Sequence, residues 1–269
     1  MRHVIFGLTI LLSYAIASAG ELFSERNYQP RIFAMADKLE NDATIGGYSI
    51  WNGEGKWRLY ELIRSEASRG EPLGEVRMFQ TENKKFIATM SVYANLAPGS
   101  STWSDEPCKR DDMLFKKQMA GGREDNCVTI NHITRFMSNP EGKGIELFAM
   151  LKEQGIEFPP TVLQIKITRN GTSSRKLAYT LHINPEILGF ASETEQNWSR
   201  SPWNKTMAFN DAAKKQLIDG LSNWALAFAK QMDEGILQKP NAFSNIPSWR
   251  AGIEIKAKNN DAKPVTTLD

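Results

Sequence analysis

The chain has 269 residues, 33 Lys and Arg against 31 Asp and Glu, a formal charge of +2, two cysteines and three histidines. Charges of both signs are interspersed, so the clustered Lys and Arg that release counterions from a nucleic-acid backbone are missing, and nucleic acid is excluded as a partner. Neither a P-loop, a strand–G-x-G-x-x-G–helix unit nor a G-x-S-x-G elbow occurs, which leaves no signature of a nucleotide cofactor or of a serine hydrolase.

Arg2, the apolar run Val4 to Ile16 and the small-x-small triplet Ala17-Ser18-Ala19 predict a cleaved signal peptide over residues 1–19. No cysteine follows Ala19 to be acylated, and loss of Arg2 brings the mature charge to +1. No later segment approaches the ~20 apolar residues of a membrane span. The expectation is an exported protein, periplasmic or extracellular, with a single α+β domain over 20–255 and a disordered Lys/Asn/Asp/Thr-rich tail over 256–269.

Helical spacing of Ile32, Phe33, Ala36 and Leu39 after Pro30 predicts a first helix. Gly46-Gly47 ends that pattern, and Tyr48–Trp51, Lys56–Arg64, Glu75–Thr81 and Lys84–Asn95 read as strands of an antiparallel meander, although Trp57–Ala67 also fits a helical period. Export makes Cys108 and Cys127 a disulfide rather than a metal or catalytic pair. It pins a polar excursion, with Asp105, Glu106, Asp111 and Asp112 near its start, to a strand over 128–135.

Asn139-Pro140-Glu141 and Gly155 bound a helix over 141–154 with Ile145, Phe148 and Leu151 inward. Asn170-Gly171 between Thr161–Arg169 and Arg175–Asn184 is the strongest hairpin signal. Residues 185–209 read as an irregular, aromatic-rich loop. Asn210 caps a helix through Glu234, ended by Gly235, with a stripe of Leu217, Leu221, Trp224, Ala225, Phe228 and Met232. The fold class is therefore α+β, a mainly antiparallel sheet with two or three packed helices and one intramolecular disulfide.

The chemistry is sparse. With the cysteines bridged, only His132 and His182 remain beyond the N-terminus as imidazoles, both on strands, so no metal site and no cofactor are expected. Ser173 and Lys176 have S-x-x-K spacing, but beside a hairpin turn, where one helical turn cannot bring them together. Asn170, Asn197 and Asn204 head N-x-S/T triplets, which matter only in a eukaryotic secretory pathway.

Loop tryptophans offer flat surfaces to sugars or apolar faces, which makes Trp103, Trp198 and Trp203, with His132, the candidate ligand-binding residues. The reading is a non-enzymatic binding or interaction protein of the cell envelope, engaging an envelope component or a small apolar or glycan ligand. One alternative is an envelope-polymer hydrolase using Asp105, Glu106, Asp111 or Asp112 with His132, and it requires such groups to converge in a concave pocket. A second is a structural or assembly factor presenting a flat apolar patch. The oligomeric state is left open.

Overall fold

In a computed structural model of the chain, the structure describes residues 22–23, 43–51, 55–66, 70–97, 106–119, 126–136, 145–170, 176–195, 197–236 and 242–250. The signal peptide, the first helix and the C-terminal tail expected from sequence lie outside them.

A small hairpin, β1 (Thr44–Ile45) and β2 (Tyr48–Ser49), turns at Gly46-Gly47, both at positive φ. There follow β3 (Arg58–Glu66), β4 (Pro72–Glu82), β5 (Lys85–Asn95), a short α1 (Glu106–Lys109), β6 (Phe115–Gln118) and β7 (Cys127–Thr134). Then come α2 (Ile145–Glu153), β8 (Thr161–Asn170), β9 (Lys176–Ile183), a 3-10 turn (Pro185–Leu188), α3 (Lys205–Asn210) and α4 (Ala212–Ile236). Seven strands form one sheet in the order β3-β4-β5-β9-β8-β7-β6, every neighbouring pair antiparallel. The α+β class expected from sequence is the observed one.

Strand alternation gives the sheet two unlike faces. On one, Met78, Met90, Ile130, Ile165, Tyr179 and Leu181 join a single large core with α4. The helix lays Leu217, Leu221, Trp224, Ala225, Phe228 and Met232 onto it, all buried, and Arg169 of β8 clamps it through two bonds to Asp233, at 2.7 and 2.6 Å. On the opposite face a phenylalanine cluster, Phe86, Phe136, Phe148 and Phe158, seats α2 over one end of the strands. A bulge makes this possible: Gln80 pairs with Ala88 but Thr81 with Phe86, so Ile87 is the extra residue and Phe86 turns away from the α4 core while Ala88 stays in it.

The strand expected over Lys56–Arg64 is found as β3, and the helical period that Trp57–Ala67 also fits is not realised there, because pairing with β4 satisfies the backbone along the strand. Other sequence expectations are corrected. The polar excursion contains a strand, β6, paired with β7. Asn210 is the last residue of α3, and it is Asp211 whose Oδ1 accepts the Ala213 and Lys214 amides at 2.9 and 3.1 Å to cap α4. Gly235 does not end that helix but lies inside it, packed so closely on Phe243 that a Cβ would collide with the ring. Among the described residues no helix is long and apolar enough to cross a membrane.

Cys108 and Cys127 are disulfide-bonded, 19 residues apart in sequence with Cα atoms 6.0 Å apart, tying α1 to the first residue of β7. Loop closure of this length predicts that replacing both cysteines by serine lowers stability by about 3 kcal/mol. Chemical denaturation of oxidised, reduced and Cys→Ser protein checks this; matching midpoints would show that the bond contributes nothing to the fold.

Candidate functional site

Beyond the α2 cluster the second face is polar for a sequence reason: in β8, Gln164, Lys166 and Thr168 alternate with the core residues Leu163, Ile165 and Ile167. Register then lines up like residues from strands far apart in sequence. Lys166 faces Thr129 of β7 on one side and Thr180 of β9 on the other. Thr180 faces Ser91 of β5, Ser91 faces Arg77 of β4, and Arg77 faces Glu61 of β3. Directly opposed Cβ atoms lie about 5 Å apart, so this is a continuous polar row across six strands, with about 14 Å from Arg77 to Lys166.

The row has two electrostatically different ends. Arg77, 5 % exposed, donates from Nε to Glu75 Oε1 at 2.7 Å, from Nη2 to Glu75 Oε2 at 3.1 Å and from Nη1 to Glu61 Oε2 at 2.6 Å. Burial works against its charge, but the bonds and charges of Glu75 and Glu61 prevail and raise its affinity for the proton. Burial pushes the neighbouring Tyr60 and Tyr93 hydroxyls up, so both stay neutral. Lys166 is different. It is half-buried, its Nζ has no hydrogen bond or ion pair among the described residues, and burial lowers its pKa with no carboxylate opposing the shift.

The next row toward α2 is sealed by its own hydrogen bonds. His182 lies between Thr89 Oγ1, 3.1 Å from Nδ1, and Gln164 Nε2, 3.0 Å from Nε2. If Gln164 donates, Nδ1 carries the proton and donates to Thr89, which leaves a neutral ring whose pKa burial pushes down to about 4.

The residues singled out from sequence fall elsewhere. His132 points to the opposite face, 1 % exposed, its ring stacked on Trp198 with centroids 4.8 Å apart. Trp198 Nε1 donates to the His132 carbonyl at 3.1 Å, and His132 Nε2 lies 3.3 Å from the Trp198 carbonyl. The two residues thus clasp each other, with Trp198 half-buried as the lid. Burial holds His132 at about 4, offset in part by the Trp198 carbonyl and Asp112, and its Nδ1 is buried without a partner.

Trp203 is a correction: it is fully buried, edge-on to Phe190 at 5.1 Å with Lys214 Nζ 5.1 Å over its ring, and presents no open surface. A tight turn, in which Ser201 Oγ accepts the Trp203 amide at 3.1 Å, drives the indole inward from a polar stretch. Trp103 and Asp105 lie outside the described residues, as does the Glu106 side chain. Ser173 does too; Lys176, its S-x-x-K partner, begins strand β9 and is 5 % exposed.

The loop carboxylates are committed to cations. Asp111 takes Lys116 Nζ at 2.7 Å and Asp112 takes Arg110 at 2.9 and 2.6 Å, and these bonds hold both carboxyls below the usual range. Neither bonds to His132, so the converging acid–base pair that the hydrolase reading requires is not formed among the described residues. Those residues also contain no group of three or more His, Cys, Asp or Glu that could hold a metal ion. A cavity of about 440 Å³ lies at the other end of the sheet between Phe23, Gly46, Gly47, Pro72 and Leu96, with Arg64 as its one charged side chain, itself already engaged.

The Arg77–Lys166 row was not among the sequence candidates. Its signal was half present, in the polar alternation of β8, but the partners that turn single polar residues into a row come from β4, β5, β7 and β9. Neither a protein-family model, nor a curated protein, nor a solved structure matches this chain, so its site rests on geometry alone.

Proposed function

We propose that this is an exported, non-enzymatic binding protein of the cell envelope, which holds an extended polar ligand such as a glycan along the polar row of its sheet. The observation carrying this reading is the asymmetry of the sheet. One face is sealed by α4, while the other carries recessed hydroxyls and cations in register on strands that cannot shift without breaking the core. A merely solvated face would leave Arg77 and Lys166 exposed. The disulfide supports export, as does the seating of Leu22 and Phe23 in the core just past Ala19.

Titration calorimetry with neutral and acidic fragments of hydrolysed envelope polymers tests it. The wild type is expected to bind a fragment class without cleaving it. A Ser91→Ala/Thr180→Val variant, which removes two hydroxyls and keeps side-chain volume nearly constant, should bind roughly ten-fold more weakly at unchanged Tm. Cleavage of the fragments would favour the hydrolase instead. Loss of binding on Trp198→Ala but not in the double variant would return the site to the His132–Trp198 clasp.

A further inference from the structure

We infer that Lys166, with the Thr129 and Thr180 hydroxyls on either side, forms an anion subsite that takes one oxyanion group, carboxylate or phosphate, of the ligand held on this face. The inference rests on the binding reading above and names the charge of the ligand.

The argument is one of compensation. Every other cation along the row has an anionic partner: Arg77 has Glu61 and Glu75, and Lys116, opposite Thr129, has Asp111. Lys166 has none among the described residues, although it sits on an inner strand, half out of water, where an unpaired ammonium is costly. A chain needing only a polar residue here could place a neutral one at lower cost. Two threonines directly opposite Lys166 add hydroxyl donors within reach of the same point, so an oxyanion above Nζ would meet three donors in a line set by the sheet. Such charge-assisted bonds are stronger in a recessed site than in open water. At the other end, about 14 Å away, the Arg77 cluster carries two carboxylates against one guanidinium and repels a second anion. The row therefore orients its ligand, anionic group toward β8 and hydroxyl or amine groups toward β4.

NMR of isotopically labelled wild-type protein, titrated separately with inorganic phosphate and with sodium acetate, tests the subsite. Saturable shifts are expected at Thr129, Lys166 and Thr180, with the Lys166 ammonium titrating at higher pH once an anion is bound. Lys166→Met should weaken acidic-fragment binding roughly ten- to hundred-fold, and far more than it weakens neutral-fragment binding, and Lys166→Arg should restore part of it. Phosphate saturating at lower concentration than acetate indicates a phosphorylated ligand, and the reverse order a carboxylated one. Shifts that never saturate, or that persist in Lys166→Met, overturn the subsite. If neutral fragments then still respond to Ser91→Ala/Thr180→Val, only the anion subsite fails; if nothing on this face responds, the binding reading fails with it.

Discussion

Between pH 6.5 and pH 4 the folded protein is expected to lose on the order of 6 kcal/mol of stability, about half through each of His132 and His182. Both imidazoles are held down to about 4 by burial, against 6.5 for a free histidine. In that window the unfolded chain binds a proton at each ring and the folded chain does not. Stability is therefore fully present above pH 6.5 and declines as pH falls through the window, at about 1.4 kcal/mol per pH unit for each ring, until the folded rings also titrate near 4. Geometry gives each ring a reason to resist. A charged His182 would need an acceptor at Nε2, where Gln164 now turns its amide nitrogen, and a charged His132 would leave a second donor at Nδ1, which is buried without a partner. Urea unfolding at pH 7, 5.5 and 4.5 reads the slope directly. His182→Gln and His132→Phe should each remove about half of it; a slope undiminished in both variants would assign the acid sensitivity to carboxylates instead.

Much of the frame was legible in the sequence because it is written in short-range patterns. The Asn170-Gly171 hairpin, the Leu217–Met232 stripe and the pairing of the two cysteines each depend on neighbours within a turn or on elimination, and the strands, helix and disulfide are found there. What escaped depended on register or on side chains that serve two purposes. β6 was hidden because Lys116 and Lys117 carry none of the apolar alternation that marks a strand; it is a strand because β7 offers it an edge. The sequence predicts the β4–β5 turn over Thr81-Glu82-Asn83, and it is formed slightly later, with Asn83 and Lys84 both at positive φ, a position that a lysine does not announce. Trp203 lies in a stretch of Ser, Pro and Asn that predicts an exposed side chain, whereas the turn at Ser201 carries it into the core. His132 and Trp198, which the sequence offers as separate candidates, do meet, but as a closed clasp rather than an open surface. The Arg77–Lys166 row could not be read at all without the strand order, since its members are scattered from Glu61 to Thr180.

Phe228→Ala is expected to cost about 3–5 kcal/mol, whereas Lys166→Met should leave stability unchanged or raise it, and the contrast separates what the two faces of the sheet are for. Phe228 is fully buried and its ring lies 5.2 Å from Trp51, 5.2 Å from Trp224, 4.8 Å from Tyr179 and 5.6 Å from Phe243. Truncation leaves a cavity walled by four other aromatic rings, which are stiff and held from different elements: Tyr179 by β9 and by the Trp51 amide it accepts at 2.7 Å, Trp224 by its bond to the Pro247 carbonyl at 2.9 Å. Such a site collapses poorly, so the loss belongs toward the upper end of the range. Lys166 is the reverse case, because its ammonium gives up hydration without gaining a partner among the described residues, and a methionine of similar length keeps the packing of the stem while removing that cost. Denaturant unfolding of the two variants, run beside fragment binding, reads both quantities. Phe228→Ala should unfold early yet bind normally while folded, and Lys166→Met should unfold late yet fail with acidic fragments. A Lys166→Met protein that is substantially destabilised would mean the ammonium is compensated within the fold, and the argument for an external anion would lose its premise.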